Sequence, residues 1–360
     1  MEQRLDRVDG GFGAAPKFPQ ATNLDFLWRA WKRTGRDALR QGVLLTLDHI
    51  SQGGVYDHLG SIELLDEETE AALARDRAVL FSLREGRVRP ARDDKVLADW
   101  NGLTIAAIAK ASCVFERLDW LDVAIEAFHF VRSAMTTNDG RLLHSWREGR
   151  ARHSAVDYAA MCRAALALHE ATGAPSYLER RWVEQVELHY RDRNGGYFFT
   201  ADDAEALIAR AKIAEDSALS AGNGMMLQVL AQLYHLTGES VYRERAEAIA
   251  NAFSGTIRQR LLGFSALLNG METLREAMQI VVIGEADGAD TAALKRVIYG
   301  VSRPGRVLNV VAPGADIPRA HPAFGKTLLD HRATAYLCRG TVCSPPIVNP
   351  EVLGAALREA

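Results

Sequence analysis

Residues 154–192, SAVDYAAMCRAALALHEATGAPSYLERRWVEQVELHYRD, decide the fold. Small and apolar side chains recur at three- and four-residue spacing from Val156 to Leu168, the period of a helix with a buried face. Gly173 then fits the left-handed position that closes a helix. A second, more charged helix, APSYLERRWVEQVELHYRD, runs back from it, with apolar residues again at three- and four-residue spacing. The stretch is a helical hairpin with an Ala-rich first helix and an amphipathic second one.

The same plan occurs on both sides of it. Residues 93–118, DDKVLADWNGLTIAAIAKASCVFERL, lead into DWLDVAIEAFHFVRSAM. Residues 215–238, EDSALSAGNGMMLQVLAQLYHLTG, lead into ESVYRERAEAIANAFSGTI. The turns repeat as well: Thr172-Gly173 precedes Tyr177, Thr237-Gly238 precedes Tyr242, and Thr34-Gly35 ends an earlier helix near TNLDFLWRAWKR. Each Tyr is expected in the first turn of its return helix. Hairpins of this length bury their faces only against neighbours, so they build a solenoid or a closed ring. Ala-rich first helices fit an inner barrel and charged second helices an outer layer. Because a polar loop precedes every inner helix, the loops are expected at one end. The fold class read from this pattern is all-α, an (α/α) toroid of helical hairpins over residues 1–276.

Residues 277–360 change character. QIVVIG, ADTAALKRVIYGV and RVLNVVAPG give a β-α-β pattern, ATAYLCRG a further strand and NPEVLGAALREA a closing helix. QIVVIGEADGAD lacks the glycine spacing of a dinucleotide loop, so a small α/β appendage packed on the toroid is expected.

Composition bounds the partners. Hydrophobic residues make up 48% and charged residues 25% of the 360, and the formal net charge is −3. That balance describes a globular chain with a large core and argues against nucleic-acid or membrane-surface binding. No apolar run reaches the ~18 to 20 residues of a membrane span, and MEQRLDRVDGGFG lacks a signal-peptide core; a cytoplasmic protein is expected. Cys113 and Cys162 fall in apolar helical patterns as buried thiols. Cys338 and Cys343, in CRGTVC, admit a structural turn, a disulfide or half of a metal site. No second cysteine pair completes a zinc set, and neither metal nor cofactor is expected.

The loops carry the candidate chemistry. GGFGAAPKFP (10–19) offers Lys17, and GGVYDHLG (53–60) sets Tyr56, Asp57 and His58 between glycines. RPARDDKVLADWNG (89–102) holds Asp94, Lys95, Asp99, Trp100 and Asn101. RLLHSWREGRARHSAVDYA (141–159) adds His144, His153, Asp157 and Tyr158. GGYFFTADDAEALIARAKIAEDSALSAGN (195–223) adds Tyr197, Lys212, Asp216 and Asn223. Aromatic faces beside amides and carboxylates suit a polyhydroxylated ligand. The same residue types also cap helices and fill turns.

These motifs resemble the family of thioredoxin-domain proteins that includes spermatogenesis-associated protein 20, as does CRGTVCSPP near the C-terminus. The resemblance runs along nearly the whole chain. It implies a six-hairpin toroid similar to N-acylglucosamine 2-epimerases and six-hairpin glycosidases. Three departures stand out. The thioredoxin-like domain of family members is not expected here, since the chain opens at GGFG. Gly60 runs directly into SIELLDEETEAALARDR, so one or two hairpins are expected to be missing at 60–61. The family's Pro-Ser-Gly-Asn appears as Ser220-Ala221-Gly222-Asn223.

The function expected is that of a carbohydrate-active protein, an epimerase or glycosidase acting on a small sugar-like ligand. Asp57, His58, Asp157 and Asp216 are the catalytic candidates, because epimerases move protons with histidines and glycosidases use paired carboxylates. Lys17, Tyr56, Asp94, Lys95, Trp100, Asn101, His153, Tyr158, Tyr197, Lys212 and Asn223 are the ligand-binding candidates. The alternative is a module that binds a ligand or protein partner without catalysis.

Overall fold

The computed structural model describes residues 4–13, 20–52, 66–88, 94–147, 155–178, 180–205, 208–259, 261 and 263–359. In chain order the helices are α1 (Ala21–Thr34), α2 (Asp37–Gln52), α3 (Glu67–Glu85), α4 (Ala98–Phe115), α5 (Leu118–Ala134), α6 (Ala155–Thr172), α7 (Arg180–His189), α8 (Gly222–Thr237), α9 (Ser240–Gln259) and α10 (Ser265–Glu276). Two-residue strands β1 (Val96–Leu97) and β2 (Ser145–Trp146) precede α4 and α6. The junction expected at 60–61 lies outside the described residues.

Helix α4 packs on α6, α6 on α8, α8 on α10, and α10 on α1. This series is the inner wall of the toroid. Its return helices lie outside it, α5 on α4, α7 on α6 and α9 on α8. Composition explains the layering. Almost every side chain of α6 is buried, half of them alanine. Small side chains let the inner axes approach: a Cβ on Gly102 of α4 would lie 2.6 Å from the Ala160 carbonyl carbon of α6. The outer helices bury one stripe each, as α7 does with Trp182, Val183 and Val186. Fully burying an apolar side chain of this size contributes ~1.5–3 kcal/mol.

The repeated turns share one hydrogen-bonding scheme. The hydroxyls of Thr172 and Thr237 donate to the carbonyls of Leu168 and Leu233, and accept from the amides of Ala174 and Glu239. Gly173 and Gly238 take the left-handed conformation, with φ of 76° and 75°, and their amides close the last turn. Tyr242 lies in the first turn of α9, as expected. Tyr177 instead sits in a 3-10 turn, Pro175–Tyr177, ahead of α7. Pro175 starts that turn, and Tyr177 still packs back on its neighbour, 5.5 Å from Phe128 between ring centroids.

Beyond α10 come β3 (Met278–Ile283), α11 (Ala289–Gly300), β4 (Arg306–Val311), β5 (Thr334–Arg339), β6 (Val342–Cys343) and α12 (Pro350–Glu359). The sheet order is β4-β3-β5-β6, with β3 and β4 parallel and β5 antiparallel to β3. This layer closes the C-terminal ends of the inner helices. The Lys295 ammonium donates to the Ala171 carbonyl at 2.6 Å, and the Asn309 amide to the Leu236 carbonyl at 3.1 Å, satisfying carbonyls that a helix end leaves open. Cys338 and Cys343 face each other across β5 and β6 and are joined as a disulfide. Cys113 and Cys162 are not disulfide-bonded, and Cys162 is buried. Among the described residues no helix is long and apolar enough to cross a membrane.

Candidate active site at the N-terminal rim of the inner helices

The short ribbon of β1 and β2 assembles the site. Val96 pairs with Trp146 and Leu97 with Ser145, and the Ala98 amide donates to the His144 carbonyl at 2.9 Å. His144 is thereby fixed beside Asp99, in the first turn of α4. From the adjacent inner helix comes Asp157, in the first turn of α6. One oxygen or ring nitrogen from each of Asp99, His144 and Asp157 lies within 4.8 Å of the others.

Their exposures differ. Asp157 is fully buried, Asp99 is 8% exposed and the His144 side chain 38%. His144 Nδ1 is 2.9 Å from Asp157 Oδ1. This bond, and after it the Asp157 and Asp99 charges, raise the His144 pKa above its ordinary 6.5, against burial. Burial, and then the Asp157 charge, raise the Asp99 carboxyl above 3.8. Asp99 also accepts the Trp100 amide at 2.8 Å. The trio has the donor types of a cation site, although the His144–Asp157 hydrogen bond already joins two of the ligand atoms.

A cleft of about 240 Å³ opens on Asp99 and His144, walled by Val156, Tyr197, Phe198, Phe199, Leu219 and Asn223 among others. Ser217, Ser220 and Glu215 add polar groups to it. Aromatic edges beside an acid and an imidazole give a ligand both an apolar face and proton-transfer partners.

The structure sorts the sequence candidates. Asp157 joins the cluster from behind, as the group that orients His144. Tyr197 and Asn223 line the cleft, and Asn223 also builds it: its amide accepts from the Tyr197 amide and donates to the carbonyls of Tyr197 and Ile213. The Tyr197 hydroxyl donates to Glu187.

Others move to structural roles. Asp216, expected as catalytic, accepts the Ala221 amide at 2.9 Å and the Ala266 amide at 2.8 Å. With both carboxylate oxygens so engaged, it ties the starts of α8 and α10 together. Tyr158 is fully buried, and its hydroxyl accepts the Leu142 amide. Lys212 is paired with Asp192 at 2.5 Å, and Asp94 with Arg147 at 2.8 Å. Asn101 donates to the Leu97 carbonyl. Trp100 is 58% exposed and Lys95 is exposed, neither of them lining the cleft. Lys17, Tyr56, Asp57, His58 and His153 lie outside the described residues. Asp99 and His144, the two groups the cleft exposes, are not among the catalytic or ligand-binding candidates of the sequence. The signal for them was weak, an acid at a helix start that reads as a cap and one histidine in a short extended run.

The sequence model of glycosyl hydrolase family 76 matches residues 88–268, half of the chain and all three central hairpins. The chain belongs to glycosyl hydrolase family 76. It is also similar to spermatogenesis-associated protein 20 of Homo sapiens, 29% identical over 75% of this chain and 37% of that protein, and to its Rattus norvegicus counterpart, 27% identical over 79% and 38%. The chain thus spans about two fifths of the length of the curated relatives it matches. Among solved structures it is similar to the family 76 α-mannanase of Bacteroides thetaiotaomicron (TM-score 0.43, 13% identity, 78% of this chain and 72% of that one). It is similar also to the cellobiose 2-epimerase of Spirochaeta thermophila (TM-score 0.38, 17% identity, 45% and 44%).

Proposed function

We propose that this protein cleaves the glycosidic bond of a small sugar-like substrate held in the Asp99–His144 cleft. The observation that carries the reading is the juxtaposition of a carboxyl and a carboxylate-oriented imidazole on adjacent inner helices and their connecting ribbon. Family membership supports it. Between the raised pKa of Asp99 and the raised pKa of His144, the carboxyl is ionised and the imidazole protonated, the state required of a nucleophile beside an acid.

Ligand atoms of Asp99 and His144 lie within 4.8 Å of each other, a closeness that suits double displacement better than an in-line water held between the two groups. In the first step Asp99 attacks the anomeric carbon, the carbon–oxygen bond breaks, and His144 gives its proton to the departing oxygen. In the second, neutral His144 takes a proton from water, the water oxygen replaces Asp99 at the anomeric carbon, and the carboxylate is released. Asp157 holds the imidazole in one orientation throughout. The test is proton NMR of a panel of aryl glycosides incubated with the protein. Release of a sugar with retained configuration is expected; an untouched panel overturns the reading.

A second reading rests on the sealing of Asp157 away from the cleft. A carboxylate base beside an imidazolium acid also suits proton transfer at the carbon next to a sugar carbonyl, as in isomerisation or epimerisation. Deuterium incorporation from solvent into a free sugar, without bond cleavage, distinguishes it.

A further inference from the structure

The opposite end of the inner barrel holds an unexplained concentration of positive charge. A cavity of about 610 Å³ lies between α1, α4, α6 and α8, floored by the turn from α11 to β4. Five cationic side chains line it: Arg29, Lys110, Arg163, Arg303 and Arg306, against the two acids Asp25 and Glu170. Arg29 is paired with Asp25 and Glu272, and Arg306 with Glu170. Among the described residues, Lys110, Arg163 and Arg303 have no carboxylate within 4 Å. A second hollow, of about 580 Å³, shares Arg29 and Arg303 with it and is lined also by Lys32, Arg33, Arg275 and Arg339 and by the acids Glu272 and Glu276. The chain as a whole carries −3, so this charge is a local arrangement.

Its parts come from separate elements brought to one place. Lys110 and Arg163 project from neighbouring inner helices. Arg303 and Arg306 bracket a Pro-Gly turn of the appendage, the geometry Pro304 and Gly305 favour. Two buried guanidinium donors there lack partners: Arg303 Nη2 and Arg306 Nε donate to no group among the described residues, although Arg303 Nε donates to the Leu357 carbonyl and Arg306 Nη1 to the Ile298 carbonyl. Lys110 is open to the cavity but surrounded by protein, and this confinement, followed by the Arg163 charge, lowers its pKa. Like charges gathered in excess of their counter-charges weaken a fold unless a ligand supplies the opposite sign.

We propose that this lower cavity is a binding site for a small multivalent phosphate, a pyrophosphate or phosphate ester, separate from the Asp99–His144 cleft. Guanidinium forks bind phosphate oxygens in pairs, and the Gln228 and Gln232 amides on the same wall suit phosphate or hydroxyl oxygens. The cavity has the size of a metabolite site.

Calorimetry and thermal unfolding of the full chain with pyrophosphate, at constant ionic strength set by chloride, test it. Binding with a raised Tm is expected. Arg163→Gln and Lys110→Met should each weaken pyrophosphate about ten-fold, while the unliganded Tm stays or rises because a repulsion is removed. Asp99→Asn should bind pyrophosphate as the unmodified protein does, so failure of the proposed catalysis leaves this result readable. The proposal is overturned if pyrophosphate does no more than chloride, if both cavity variants bind it undiminished, or if citrate binds equally well, which would mark a general anion hollow.

Discussion

His144 Nδ1 lies 2.9 Å from Asp157 Oδ1, with the carboxylate sealed in the protein and the imidazole open to the cleft. A buried acid of this kind fixes the tautomer and orientation of its histidine and favours the protonated ring. Because the folded pKa of His144 is raised, its pairing contributes stability fully below about 6.5, and that contribution is lost as pH rises through the elevated value. Asp157→Asn should move the His144 titration down, as read from its ring protons by NMR. An unmoved titration would mean that the pair does not govern His144.

Catalysis should follow a bell-shaped pH profile. The acid limb reports Asp99 and lies above the ordinary 3.8; the alkaline limb reports His144 and lies above 6.5. Initial rates across the pH range, with salt held constant, check both limbs. His144→Gln should flatten the alkaline limb and lower the rate by roughly 10²–10⁴-fold.

Asp216 should behave oppositely. It accepts two backbone amides at the starts of α8 and α10, so Asp216→Ala should cost about 1–2 kcal/mol in urea unfolding. Ligand response of the folded fraction should persist. A variant as stable as the parent, but inert, would return Asp216 to the catalytic list.

Gly102 tests the inner wall. Alanine ordinarily favours a helix over glycine by about 1 kcal/mol. Here the added Cβ would meet Ala160 backbone atoms at 2.6–2.8 Å, so Gly102→Ala should destabilise by ~1–3 kcal/mol. A gain in Tm would mean that α4 and α6 are not in such close contact.

The toroid was legible because its determinants are local and repeated. The Ala-rich run of α6, the Thr-Gly turns at 172–173 and 237–238, and the switch to β-type residues at Gln279 each carry their own periodicity. The site was less so. Asp99 and His144 are separated by forty-four intervening residues and meet only through the pairing of β1 with β2, two residues each, too short to leave a pattern. Asp216 and Asn223 looked chemical because carboxylates and amides that bind backbone groups are the same residues that bind sugars. Only the partners their side chains meet after folding separate the two uses.

The most direct measurement is the release of reducing sugar from the glycoside panel by the unmodified protein and by Asp99→Asn, at a pH between the two limbs. The account predicts turnover by the former, a loss of ~10³-fold or more in the latter, and nearly equal melting temperatures. Equal turnover by both proteins, or none by the unmodified one, would contradict it.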